Sequence, residues 1–287
     1  MQRFCVLAIL TLMGIGCESE VSLPGLEESN APALSESRVG TAYDPANCGE
    51  IHGRVVWQGP IPPRERFLYG MPKGNGNFDI QFIDGPNDPA IDQKSRVVAG
   101  AVIFLRKLDL TRSRPWDLPP VEVEFHDRQI QVLQGQAKPA RVGFAHRGEP
   151  VSMKAAEPLF HILRGRSAAF FSYTFPEPDQ PITRAFDKVG RIELSSGSGY
   201  YWASADLFIS DHPYFTLTDR EGTFTLDHVP SGPVEVVAWL PGWIPRNRER
   251  DPESGLIVRM SYSPPVEAVR TIKVEAKHQI EVVLTVP

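Results

Sequence analysis

The stretch from Asp211 to Trp243, DHPYFTLTDREGTFTLDHVPSGPVEVVAWLPGW, restricts the fold more than any other part of the chain. Phe215, Leu217, Phe224, Leu226, Val229, Val234, Val236 and Ala238 fall into short runs with roughly period-2 spacing, the pattern of strands that bury one face. Asp219-Arg220-Glu221-Gly222, Asp first and Gly last, is a tight-turn signature, and Pro230-Ser231-Gly232-Pro233 supplies a second turn. The segment reads as consecutive edges of a β-sandwich and contains no catalytic constellation.

The N-terminus reads as an export signal. Arg3 gives the short basic region, and CVLAILTLMGIG is apolar but too short to span a bilayer. Cys17 directly follows Gly14-Ile15-Gly16, a pattern that resembles a bacterial lipobox although the usual Leu three residues earlier is missing. Lipidation of Cys17 is the expectation, with ordinary signal cleavage the alternative. Residues 18–47 are rich in Ser, Glu, Pro and Ala with too few apolar positions to bury a core, so a flexible tether is expected there. The chain is therefore expected in the cell envelope, lipid-anchored to a membrane that faces the periplasm or cell surface.

Of three cysteines, Cys5 leaves with the signal and Cys17 is the lipid site, so Cys48 is the one thiol of the folded part and a buried, inert position is expected for it. A net charge of −5 without a run of Lys and Arg excludes a nucleic-acid surface. Twenty-seven prolines and twenty-three glycines, with few helix-period stretches, point to an all-β, turn-rich protein.

Along the chain, IHGRVVW (51–57) alternates and ends in a turn, and residues 64–96 read as a long surface excursion. VVAGAVIFLR (97–106) is a β-branched, apolar run expected to be a central strand covered on both faces. From Val121 come VEVEF, QIQVL, ARVGF, VSMKA, FHILR, AAFFSYTF, RIELS and ADLFIS, short strands at the spacing of a second sandwich with its own core. TIKVEA and IEVVLTV close the chain, and the segment Leu240 to Val266 reads as an exposed loop.

IHGRVVWQGPIPP, AGAVIFLR, TDREGTFTLDHVPSGPVEVVAW and IEVVLTV together resemble the carboxypeptidase regulatory-like domain, a transthyretin-like sandwich grouped with carbohydrate-binding-like folds. The block ending in DHPYF resembles a cupredoxin-like domain found beside such modules in envelope proteins, particularly of planctomycetes. The resemblance implies a discontinuous transthyretin-like sandwich (48–112 and 213–287) with a cupredoxin-like Greek-key insertion (113–212). It also implies a copper set of His, then C-x-x-H-x-x-M. His161 matches the first ligand histidine, whereas Gly197, Tyr200 and Ala203 stand where Cys, His and Met belong. A blue-copper centre needs a thiolate and two imidazoles, so no metal or other cofactor is expected unless His126, His146 or His212 refill the site.

Zincin, nucleophile-elbow and Walker motifs are absent. Asp84, Asn87, Asp88 and Asp92 read as turn formers, with calcium as the alternative. Tyr200, Tyr201 and Trp202, together with Trp239 and Trp243, are the candidate binding residues, since aromatics stack on sugars or anchor partners. Strand alternation sets Tyr201 opposite to Tyr200 and Trp202, so part of the cluster is also expected to be packing. His212 is expected to be a hydrogen-bonded structural histidine beside Asp211. The reading is a non-enzymatic binding or structural module engaging an envelope glycan or protein. An electron carrier and a glycan-active enzyme are the alternatives.

Overall fold

A computed structural model describes residues 39–64, 66–72, 78–253, 255 and 257–287, with the side chains of 68–72 and 78–79 left aside. The expected signal peptide, Cys17 and most of the tether lie outside the described residues. Within them the protein is all-β, its helical content reduced to the two 3-10 turns Pro45–Asn47 and Leu110–Arg112.

The strands in chain order are β1 (Cys48–Trp57), β2 (Arg66–Pro72), β3 (Phe78–Asp84), β4 (Ala90–Ile91), β5 (Val98–Ala99) and β6 (Val102–Arg106). There follow β7 (Val121–His126), β8 (Gln129–Gln134), β9 (Val142–His146), β10 (Pro150–Ala155), β11 (His161–Ser167) and β12 (Phe171–Phe175). Next are β13 (Ile182–Ala185), β14 (Gly190–Ser196), β15 (Ser204–Ser210), β16 (Phe215–Leu217), β17 (Thr223–Pro230) and β18 (Gly232–Leu240). The last four are β19 (Pro245–Arg250), β20 (Ile257–Tyr262), β21 (Val266–Val274) and β22 (Gln279–Val286).

Two sandwiches result. Sheet β17-β1-β22 faces sheet β16-β6-β18-β21, and sheet β13-β10-β7-β8 faces sheet β12-β11-β14-β15-β9. The first core holds Ile51, Val55, Leu226 and Leu284 from one sheet against Ile103, Leu105, Val236 and Ala238 from the other. Val123, Phe125 and Met153 meet Leu163, Ile192, Leu194 and Leu207 in the second core. A third apolar cluster joins the sandwiches. Val102, Phe104, Val237 and Trp239 pack against Phe144 and Phe208, so the alternate residues of β6 and β18 enter different cores. Four sheets are thus stacked in series, and both faces of β6 are buried, as the unbroken apolar run over 102–105 requires.

The DREG turn forms as the sequence dictates. Gly222 takes φ +71° and donates its N–H to Asp219 O at 3.1 Å. The Asp219 carboxylate accepts from Thr223 N (2.8 Å) and Thr223 Oγ1 (2.6 Å). The hydroxyl of the fully buried Tyr214 donates to His228 O at 2.9 Å and accepts from Arg114 N at 3.0 Å, tying both ends of the middle block to β17. Burial pushes the pKa of this phenol up to about 12.

Three expectations change. The tether does not extend to residue 47. Gly40 N donates to Leu110 O (2.9 Å), Ala42 N to Thr111 O (2.8 Å), and Asn47 O accepts from Ser231 N (2.9 Å), so residues 40–47 lie on the fold. The surface excursion contains the β2–β3 hairpin, paired from Arg66↔Asp84 to Pro72↔Phe78. Residues 240–266 are likewise no loop, because β19 and β20 pair antiparallel there. Among the described side chains, β3 from Ile80 to Asp84 and all of β19 and β20 are exposed or half-buried, so these strands contribute no fully buried face to either core.

Candidate functional site

The outer face of the five-stranded sheet changes character across its width. On β9 and β15 it carries Phe144 and Phe208, which enter the seam between the sandwiches. On β11 and β14 it carries Arg164, Arg166, Glu193 and Ser195, because His161, Leu163, Gly165, Ile192 and Leu194 point into the second core. Arg164 stands across from Ser195 and Arg166 across from Glu193. The β19–β20 hairpin walls this polar half, and the two enclose a cleft of about 340 Å³. Glu249, Val258, Arg259, Met260 and Ser261 line the hairpin side, and Ser196, Gly197, Gly199, Tyr200 and Tyr201 the other.

The charges in the cleft are unevenly matched. Glu249 Oε2 lies 3.8 Å from Arg259 Nη1, and Glu193 Oε2 lies 3.6 Å from Arg191 Nη2. Among the described residues, neither Arg164 nor Arg166 has a carboxylate within ion-pairing distance. Both are half-buried. Behind the cleft Asp206, nearly buried, accepts from Arg191 Nε at 2.7 Å, and Arg141 Nε donates to Ser204 O at 2.9 Å. Burial raises the Asp206 pKa, with Arg191 and Arg141 opposing it.

The candidate aromatics do not form one platform. Tyr200 and Tyr201 line the cleft, whereas Trp202 borders a separate cavity with Asp127, Arg128 and Arg141 and donates its indole N–H to Arg128 O at 3.1 Å. Tyr200 and Trp202 pack on the second core. Tyr201 points the other way and is covered by Phe67, with ring centroids 6.2 Å apart. Trp239 is a correction: it is 3 % exposed, edge-on to Phe208 at 5.3 Å beneath the Arg191 guanidinium, and no ligand reaches it. Trp243 is likewise packing, T-shaped on Trp57 at 5.4 Å against the first core.

His161 is wholly buried, stacked on Phe125 at 4.2 Å, with Nε2 3.0 Å from Glu157 Oε1. Burial lowers its pKa, Glu157 acting in the opposite direction. Tyr200 lies 5.7 Å from the imidazole ring, so the fold does bring these two positions of the copper pattern together. The donors do not fit copper–thiolate chemistry. Gly197 and Ala203 offer no side-chain ligand atom, and Tyr200 offers a hard phenol in place of imidazole. Among the described residues no group of three or more His, Cys, Asp and Glu is placed to hold a metal ion.

The remaining candidates resolve as structure. Asp92 Oδ1 accepts from Lys94 N, Ser95 N and Ser95 Oγ at 2.7–3.0 Å, Asn87 Nδ2 donates to Gly242 O at 2.8 Å, and Asp84 faces Arg66 at 3.3 Å. These are turn and packing roles. Cys48 is a buried free thiol whose Sγ donates to Asp44 O at 3.4 Å, its pKa raised by burial. Of the two partners expected for His212, Asp211 or a backbone group, Asp211 instead takes Arg147 Nε at 2.8 Å, and the histidine's hydrogen bonding is to the backbone at Leu105. His212 also stacks on Phe215 at 5.4 Å, and burial lowers its pKa to about 4, backbone hydrogen bonding at Leu105 acting in the opposite direction.

Arg164, Arg166 and the hairpin residues escape a motif search because no motif holds them. Their trace in the sequence is HILRGR, two arginines two apart on a strand whose other face is apolar.

No protein-family model matches the chain, and no curated protein is similar to it. Among solved structures, an amicyanin mutant in its Cu(I) form is similar at 10% identity and a TM-score of 0.25, covering 32% of this chain and 82% of amicyanin. A purple cupredoxin from Nitrosopumilus maritimus is similar at 10% identity and the same TM-score, covering 32% of this chain and 99% of its own. A likeness this slight carries no weight for mechanism.

Proposed function

We propose that the chain is a non-enzymatic binding module of the cell envelope, exported, held to a membrane through a lipidated Cys17, and engaging a glycan through the cleft between β11/β14 and the β19–β20 hairpin. The carrying observation is the cleft itself, where guanidinium, hydroxyl and phenol groups from distant parts of the chain converge. These groups orient a polar ligand, and pockets with a few convergent polar groups are the usual binding sites of a fold. The electron-carrier alternative loses support at His161, Gly197, Tyr200 and Ala203, whose donors do not assemble a copper centre.

The test is co-sedimentation of the full detergent-solubilised chain with insoluble cell-wall polysaccharide, with the supernatant analysed for released sugars. Saturable binding without release is expected. Release of shortened saccharides, or no sedimentation with any polysaccharide, would overturn the reading. Intact-mass analysis of membrane-extracted protein tests the anchor: a diacylglycerol-sized addition at Cys17 is expected, and an unmodified Cys17 sinks that part.

A further inference from the structure

We infer that the cleft selects a saccharide bearing an acidic group, a carboxylate or a sulfate, and that Arg164 and Arg166 hold that group; this rests on the glycan-binding reading above. The lining has three arginines and two glutamates. Arg259 faces Glu249 at 3.8 Å, and Glu193, although in register with Arg166, lies nearer Arg191 at 3.6 Å. Two guanidiniums two residues apart on one strand face are left without an acidic partner among the described residues, in a chain whose net charge is −5.

Half-buried guanidinium groups beside one another repel and are incompletely hydrated, so an oxyanion placed between them gains charge-assisted hydrogen bonds from both. A planar carboxylate and a sulfate present the oxygen geometry that this fork matches. The rest of the wall favours a sugar over a peptide as the carrier of that group. Ser195 and Ser196 offer hydroxyls, and Tyr200 offers an aromatic surface with a polar tip. At about 340 Å³ the cleft sits at the small end of ligand sites, which run roughly from 300 to 1,000 Å³. One or two rings of a saccharide fill it, and the remainder of a longer glycan lies outside.

Isothermal titration of the full chain in detergent decides the matter, with a galacturonate disaccharide, a sulfated galactose disaccharide, their neutral counterpart, inorganic sulfate and a triglutamate peptide as probes. Acidic disaccharides are expected to bind more tightly than the neutral one, and less tightly as sodium chloride rises from about 50 to about 500 mM. Arg164→Gln and Arg166→Gln are each expected to weaken the acidic disaccharides about tenfold or more, as loss of a hydrogen bond to a charged group does, at an unchanged melting temperature. The wild-type salt dependence serves as the readout if either variant fails to fold. Equal affinity for acidic and neutral disaccharides overturns the acidic selection and leaves the glycan reading standing. Salt-sensitive binding of sulfate or triglutamate with no disaccharide bound keeps the arginine pair as an anion site and overturns the glycan reading. No binding of any probe overturns both.

Discussion

Trp239 and Phe208 meet edge to face, centroids 5.3 Å apart, across the boundary between the two sandwiches. The indole belongs to β18, whose neighbouring residues Ala238 and Leu240 enter the first core, and the phenyl belongs to β15, whose neighbours Leu207 and Ile209 enter the second. This single contact relates both cores. Trp239→Ala is therefore expected to cost about 3–5 kcal/mol, the range for emptying a buried aromatic site, and to leave saccharide titration unchanged in the protein that remains folded. Chemical denaturation and the titration together check it, and full stability would remove Trp239 from the seam.

Stability should fall on acidification through a specific window. His212 has a folded pKa of about 4 against an ordinary value of 6.5, and its leading cause is burial. A base whose pKa is depressed on folding leaves the unfolded chain binding the extra proton, so the stabilisation is fully present above about pH 6.5 and is lost as pH drops toward 4. The loss from this group is on the order of 3 kcal/mol, with His161 shifted in the same direction. His212→Phe keeps the stack on Phe215 and should flatten the stability profile between those pH values. A slope identical to wild type would contradict the assignment.

Gly222→Val tests the turn. At φ +71° a β-branched residue is strained by roughly 1–3 kcal/mol, and a Cβ there would stand 2.6 Å from Val97 Cβ and 3.1 Å from Val55 O. A lowered thermal midpoint is expected. An unchanged one would mean that the corner differs from the positive-φ geometry described.

Copper should find no centre in the second core. Loading the full chain with copper and recording metal content and visible absorption is expected to give neither a stoichiometric complex nor an intense thiolate charge-transfer band, because Gly197, Tyr200 and Ala203 lack the soft donors. Appearance of that band in a one-to-one complex would overturn the donor argument.

The strands that bury a face are legible in the sequence. VEVEF, QIQVL and RIELS alternate because one side meets the core, and they appear as β7, β8 and β14. Strands without such a face are not. RNRER is exposed throughout and carries no period-2 signal, while IVRMSY alternates over Val258–Tyr262 but buries its apolar side only halfway, and the two are the wall of the cleft. The site was obscured for a related reason. Aromatics in a turn-rich sequence read as ligand platforms, yet Trp239 and Trp243 serve packing, while Arg164 and Arg166 gain their meaning only when the β19–β20 hairpin, distant in sequence, closes over them.

The stacking of four sheets also bears on how slowly the molecule lets water in. Over Val102–Leu105 and Val236–Leu240 the strands β6 and β18 have no solvent face, and their backbone amides bond to one another and to the flanking strands β16 and β21. Separation of the sandwiches would strip Phe104, Phe144, Phe208 and Trp239 of cover together, so partial opening exposes apolar area on both sides at once. Deuterium should enter the Val102–Leu105 and Val236–Trp239 amides only at the rate of global unfolding. The middle block, cut free of the chain, would present an adhesive apolar face and self-associate.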